Sequence, residues 1–137
     1  MLRIETKGRA RALQMLYAWE LQGRPALRQV ATGLARLTGP EPHILDHAEA
    51  LAAAVAADAD ALDRETQSAA ENWRINRLGA IERNILRLGV YELRESTVPP
   101  KVAIDEAVRL AHWFGGARSP GFVNGVLDRI AHQLGRL

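Results

Sequence analysis

The sequence contains no cysteine. That excludes a disulfide framework and any thiolate, whether nucleophile or metal ligand. Lysine is nearly missing too: Lys7 and Lys101 are the only two, so arginine carries almost all the positive charge. Arginine suits forked phosphate contacts and stacking on bases, although a GC-rich genome produces the same bias. No apolar run approaches the roughly 18 residues of a membrane span. The opening stretch Met1-Leu2-Arg3-Ile4-Glu5-Thr6-Lys7 lacks the apolar core of a secretion signal. These absences together predict a cytoplasmic protein. Catalytic signatures are missing as well. There is no glycine loop of the P-loop or dinucleotide type and no Gly-x-Ser-x-Gly elbow, and Ser68, Ser96 and Ser119 have no evident histidine partner. The expectation is a protein that is not an enzyme, with no catalytic residue, cofactor or resident metal.

The 137 residues are 47% hydrophobic and 25% charged, the balance of an ordinary globular domain rather than a disordered chain. Apolar residues recur at helical spacing throughout. Leu13, Leu16, Tyr17 and Leu21 form a first stripe, with Met15 and Trp19 off it, so this helix is expected to have two covered faces. Gly23 and Pro25 end it. A second stripe runs Leu27, Val30, Ala31, Leu34, Leu37, interrupted by Gly39, Pro40 and Pro42. An alanine-rich stretch from about His43 to Ala70 follows, readable as one long helix or two. Glu71 to Gly79 reads as a short helical turn stopped by glycine. Ile81, Ile85, Leu86, Leu88 and Leu93 sustain a helix to about Glu95, and Val98-Pro99-Pro100 must break it. Ile104, Val108, Ala111 and Phe114 line the next, closed by Gly115-Gly116. Ser119-Pro120 reads as an N-cap followed by proline at the first helical position. Val123, Val126, Leu127, Ile130 and Leu134 complete the last helix. No strand alternation appears, so the fold class is all-α, with about six or seven helices.

Net charge is only +2, but residues 1–28 hold six bases against two acids while the rest of the chain is slightly acidic. Lys7-Gly8-Arg9-Ala10-Arg11 stands directly before the first apolar helix. Cations there oppose the helix dipole, which fits a ligand supplying negative charge, such as phosphates; a frayed terminus that never joins the helix is the other reading. Gly125 sits inside the last helix pattern, where glycine destabilises by up to about 1 kcal/mol relative to alanine. Something is expected to approach the backbone closely there, either another helix or a ligand. Asn124 beside it would cap a neighbouring loop or read a base edge. Phe122 is core by default, or a stacking platform if exposed. Trp73 and Tyr91 lie amid Arg74, Arg77, Arg83 and Arg87; the favoured reading buries Trp73 and lets the arginines snorkel. His43 and His47 would share a helix face near Asp46. A metal site is possible at that spacing, but two partly exposed histidines at a helix start are the simpler reading. Asp105-Glu106 suits a helix start rather than acid/base catalysis.

Four blocks, in order, carry a family resemblance: Arg9-x-x-Ala12-Leu13-Gln14-x-Leu16-Tyr17-x-Trp19-Glu20; Ile81-Glu82-Arg83-x-Ile85-Leu86-Arg87-Leu88-x-x-Tyr91-Glu92-Leu93; Val98-Pro99-x-Lys101-Val102-Ala103-Ile104-Asp105-Glu106-Ala107; and Phe122-Val123-Asn124-Gly125-Val126-Leu127-Asp128. Together they resemble the NusB family of bacterial transcription antitermination factors. Only the segment from Gly23 to about Asp60 matches no block. The resemblance implies a single NusB-like helical domain over 1–137, with an N-terminal half of about 1–70 and a C-terminal half of about 71–137. It implies binding of boxA-type RNA of ribosomal RNA operons jointly with NusE, a small-subunit ribosomal protein, in an antitermination complex on RNA polymerase. It places Lys7, Arg9 and Arg11 on RNA, with Gln14 and Tyr17, then Phe122 and Asn124, and more weakly Lys101. Glu82 matches a position at the NusE interface.

Two departures stand out. Thr6 and Gly8 dilute the arginine cluster usual before the first helix, which implies weak RNA affinity without the protein partner. Arg118 replaces a frequent acid, and would either strengthen phosphate contact or be a solvated loop residue. Related domains also occur as the N-terminal module of certain ribosomal RNA cytosine methyltransferases; with no cysteine nucleophile and no cofactor fold, this chain would supply only the RNA-docking piece. The alternative function is a self-associating helical RNA-docking module whose homodimer hides the RNA face.

Overall fold

Where the sequence interrupts its apolar periodicity, the chain turns. A computed structural model describes residues 3–39, 41–95 and 97–137. Met1, Leu2, Ser96 and the expected helix breaker Pro40 lie outside the described residues. Seven α-helices and one 3-10 turn are present among the described residues, with no strand. The chain divides into two units, the first ending at Ala57 and the second beginning at Asp58. The division therefore falls well before residue 70, because the helix from Ala59 packs with the later ones.

The first unit holds α1 (Ile4–Leu21), α2 (Leu27–Thr38) and α3 (Pro42–Ala57). Each packs against the other two. The cations Lys7, Arg9 and Arg11 belong to α1 itself rather than preceding it, since the helix begins at Ile4. Two stripes of α1 are buried: Thr6, Arg9, Leu13 and Leu16 on one, Gly8, Ala12, Met15 and Trp19 on the other. Tyr17 and Leu21 are exposed instead, at 37% and 63%. They continue the Leu13 stripe at helical spacing, but two buried stripes leave the third side of the helix to solvent. Gly8 is where α1 approaches α3: a β-carbon there would lie 2.6 Å from the His47 ring. Gly23 and Arg24 turn the chain with φ of +82° and +63°. The unusual Arg24 conformation is held by its N–H donating to the Trp19 carbonyl at 2.8 Å and by its guanidinium over the Trp19 ring at 4.9 Å.

The second unit holds α4 (Ala59–Ala69), the 3-10 turn Ile75–Arg77, α5 (Ala80–Glu95), α6 (Pro100–Phe114) and α7 (Ser119–Gln133). The alanine-rich stretch is thus two helices, parted at Asp58. Helix α5 packs against α4, α6 and α7, and every residue from Asn84 to Val90 is buried. The polar members of that run are satisfied. Asn84 donates to the Ala80 carbonyl at 2.8 Å and accepts from Arg87 at 2.9 Å. Arg87, 1% exposed, grips both Asp63 carboxylate oxygens at 2.7 Å. The arginine expected to snorkel is instead a buried fork between α5 and α4. At Gly89 a β-carbon would meet Leu127 at 2.6 Å, so glycine lets α5 and α7 close together. Arg136 reaches back to the carbonyls of Leu93 at 2.6 Å and Val98 at 3.0 Å.

Candidate nucleic-acid interface

In the first unit, the solvent side of α1 carries Lys7, Arg11, Gln14, Tyr17 and Leu21, spaced by four, three, three and four residues, which puts them on one face. Lys7 is exposed, and Arg11 and Gln14 are half-buried. Arg11 Nη1 donates to Gln14 Oε1 at 2.9 Å, so the amide holds the guanidinium on the helix surface. Two positive charges, an amide and a phenol thus line one strip about ten residues long. Arg9 is not part of it. It lies two residues beyond Lys7, some 200° around a helix of 3.6 residues per turn, and is 7% exposed and engaged in the protein's own interactions. Its helix position turns Arg9 toward the interior of the unit, away from the strip that carries Lys7 and Arg11. Thr6, 2% exposed, and Gly8 are likewise buried packing positions, so the dilution of the cluster has a structural cause. His43 and His47 are both exposed, and no group of three or more histidine, aspartate or glutamate side chains is arranged to hold a metal ion among the described residues.

In the second unit, Lys101 is exposed in the first turn of α6, and Arg118 is exposed just before α7. The α7 entry differs from the expected cap. Arg118 holds the N-cap position and makes no side-chain cap bond. Ser119 is the first helical residue; its hydroxyl accepts the Gly116 N–H at 3.0 Å and donates to Glu82 Oε2 at 2.8 Å. Glu82 is therefore half-buried and tied to α7 rather than fully presented to solvent.

The exposed side of α7 carries Gly121, Gly125, Asn124 and Asp128. Around the helix, Phe122 stands on one flank of the two glycines and Asn124 on the other, 200° apart. Asn124 is exposed, Phe122 half-buried. The expected close approach of another helix at Gly125 does not occur, since nothing lies within 4 Å of where its β-carbon would stand. Trp73 also departs from expectation, being 55% exposed with its ring edge-to-face with Phe122 at 5.1 Å. The sequence did hold a signal for this: Trp73 sits among Glu71, Asn72, Arg74, Asn76 and Arg77, all exposed. Gln67, which no sequence motif singled out, fixes this loop. Its amide donates to the carbonyls of Ala70 at 3.2 Å and Trp73 at 2.6 Å, and its oxygen accepts the Ile75 N–H at 2.9 Å.

Known proteins share this arrangement of helices. The model of the NusB family matches residues 6–132. The transcription antitermination protein NusB of Sorangium cellulosum is 47% identical over 131 residues, covering 95% of this chain and 93% of its own. Among solved structures, T. maritima NusB superposes with a TM-score of 0.78 at 32% identity, covering 93% of this chain and 91% of its own. A crystal structure of antitermination factors NusB and NusE in complex with double-stranded RNA gives 0.84 at 27% identity, covering 97% of this chain and 99% of its own. The match of helices and sequence over nearly the whole length places this chain in the NusB family.

Proposed function

We propose that this chain is a non-catalytic, cytoplasmic antitermination factor that binds boxA-type RNA of ribosomal RNA operons together with NusE and helps assemble the antitermination complex on RNA polymerase. The observation that carries this reading is the solvent strip Lys7–Arg11–Gln14–Tyr17 of α1, in a chain whose fold matches a NusB solved with NusE and RNA. Lys7 and Arg11 neutralise phosphates, and Gln14 and Tyr17 offer a hydrogen-bonding group and a stacking ring. In the second unit, Phe122 and Asn124 face unpaired bases, while Arg118 and Lys101 add positive charge. Glu82, held by Ser119, presents the start of α5 to NusE. Because Arg9 is withdrawn into the packing, the chain offers few phosphate contacts and depends on NusE for tight binding. No described helix is long and apolar enough to cross a membrane, in keeping with a site of action on nascent RNA.

The test is a fluorescence titration of a boxA-like RNA and a scrambled control, each with and without NusE. Preferential binding of the boxA-like RNA, strengthened by NusE, is expected. Lys7→Glu with Arg11→Glu should weaken it and reduce the salt dependence by about 0.7 in log–log slope for each phosphate no longer neutralised. Equal affinity for both RNAs in both conditions would sink the reading.

A further inference from the structure

We infer that Trp73 and the glycine face of α7 form a pocket for a single unpaired base of the bound RNA, an inference that rests on the RNA-binding function proposed for this chain. The cleft measures about 240 Å³ and is bounded by Asn72, Trp73, Phe122, Gly121, Gly125 and Arg129, the scale of one base rather than a longer segment. Its wall is an aromatic pair whose outer member, Trp73, keeps more than half its surface in solvent. An exposed indole offers a face on which any base stacks. The ring is pre-positioned, because Gln67 clamps the backbone on both sides of it through three hydrogen bonds.

Gly121 and Gly125 form the floor. Both weaken the helix, and neither is needed for packing, since nothing stands within 4 Å of a β-carbon at either position. Gly33 of α2 is equally open, so an unpacked helical glycine is not by itself a site. The α7 pair is set apart by its spacing of four, which bares one strip of backbone, and by the two rings beside it. A planar base stacked on Trp73 would lie against that strip, closer than any side chain would permit. Arg129 supplies a cation at the cleft, though it also donates to the Ala69 carbonyl at 3.1 Å and lies 3.8 Å from Glu71. The cleft adjoins Phe122, so it extends the RNA surface already proposed in this unit.

The experiment uses the full chain with NusE and a boxA-like single-stranded RNA, reading RNA affinity, NusE affinity and thermal stability separately. Trp73→Ala should weaken RNA binding roughly tenfold, the effect of one stacked base, while Trp73→Phe retains most of it. Tryptophan emission should be quenched on titration in the unaltered protein and much less in Trp73→Phe. Gly125→Ala gives the sharper readout: it should raise the melting temperature, because alanine favours helix, yet lower RNA affinity. If Trp73→Ala and Gly125→Ala leave affinity unchanged while Lys7→Glu with Arg11→Glu reduces it, the pocket is wrong and the RNA-binding function stands. If Trp73→Ala weakens NusE binding alone, the cleft holds a protein side chain and the inference is overturned. Absence of RNA binding by the unaltered chain with NusE overturns both.

Discussion

Ser119 Oγ donates to Glu82 Oε2 at 2.8 Å, joining the first residue of α7 to the first turn of α5. The same hydroxyl accepts the Gly116 N–H at 3.0 Å, so one small side chain closes the loop between α6 and α7. Ser119→Ala should leave the Gly116 N–H without its partner and lower stability by about 1 kcal/mol. Urea unfolding would show this as a lower midpoint at unchanged slope. NusE affinity should fall in the same variant, because Glu82 loses the group that orients it. An unchanged midpoint would mean that water replaces the hydroxyl without cost.

Arg87 and Asp63 form a largely buried ion pair in the second unit. The guanidinium is 1% exposed and the carboxylate 25%. Asp63→Ala removes the carboxylate that faces a buried cation and should cost about 3 kcal/mol. The double change Arg87→Met with Asp63→Ala should cost less than the single one, because no charge is left behind in the interior. Chemical denaturation of the two variants side by side decides it. A double variant less stable than Asp63→Ala would mean that the fork supports α4 and α5 in ways apolar packing cannot replace.

Gly8 and His47 give a test of close approach in the first unit. A β-carbon at Gly8 would stand 2.6 Å from the ring, so the ring must move aside. Gly8→Ala should show little net change, its helix gain of about 1 kcal/mol offset by displacement of the imidazole. In a His47→Ala background the same change should become stabilising. A double-mutant cycle with coupling below about 0.5 kcal/mol would mean that the two residues do not press on each other.

Gly89 differs because its neighbour is fully enclosed. Its β-carbon would meet Leu127, which is 0% exposed and cannot swing into solvent. Gly89→Ala should therefore lower stability by about 1–3 kcal/mol despite alanine's helix preference. Adding Leu127→Ala should offset part of that loss, as measured by thermal unfolding.

Arg9 and Arg11 separate structure from binding on one helix. Arg9→Ala removes a buried, engaged group and should destabilise by about 1–3 kcal/mol. Arg11→Ala should change stability by less than about 0.5 kcal/mol while weakening RNA binding. Circular-dichroism melts beside RNA titrations distinguish them; a stable Arg9→Ala with poor RNA affinity would return Arg9 to the interface.

The sequence by itself determined the helices and the family. Apolar spacing of three and four residues, with breaks at Gly23, Pro99-Pro100 and Gly115-Gly116, is a signal written within each segment, and four ordered blocks named the relatives. Tertiary structure alone decided where exposure departs from the apolar pattern. Arg9 and Arg11 are two residues apart in a run of cations, yet packing on two sides of α1 hides one and leaves the other near solvent. Trp73 reads as core by residue type, but its place in a loop clamped by Gln67 puts it outside. Gly125 suggested a close approach by another helix or a ligand, and the open space found over it is a property of the assembled unit. Periodicity is written along one chain segment. Exposure is set by what other segments bring against it, and a local pattern carries that information only in part.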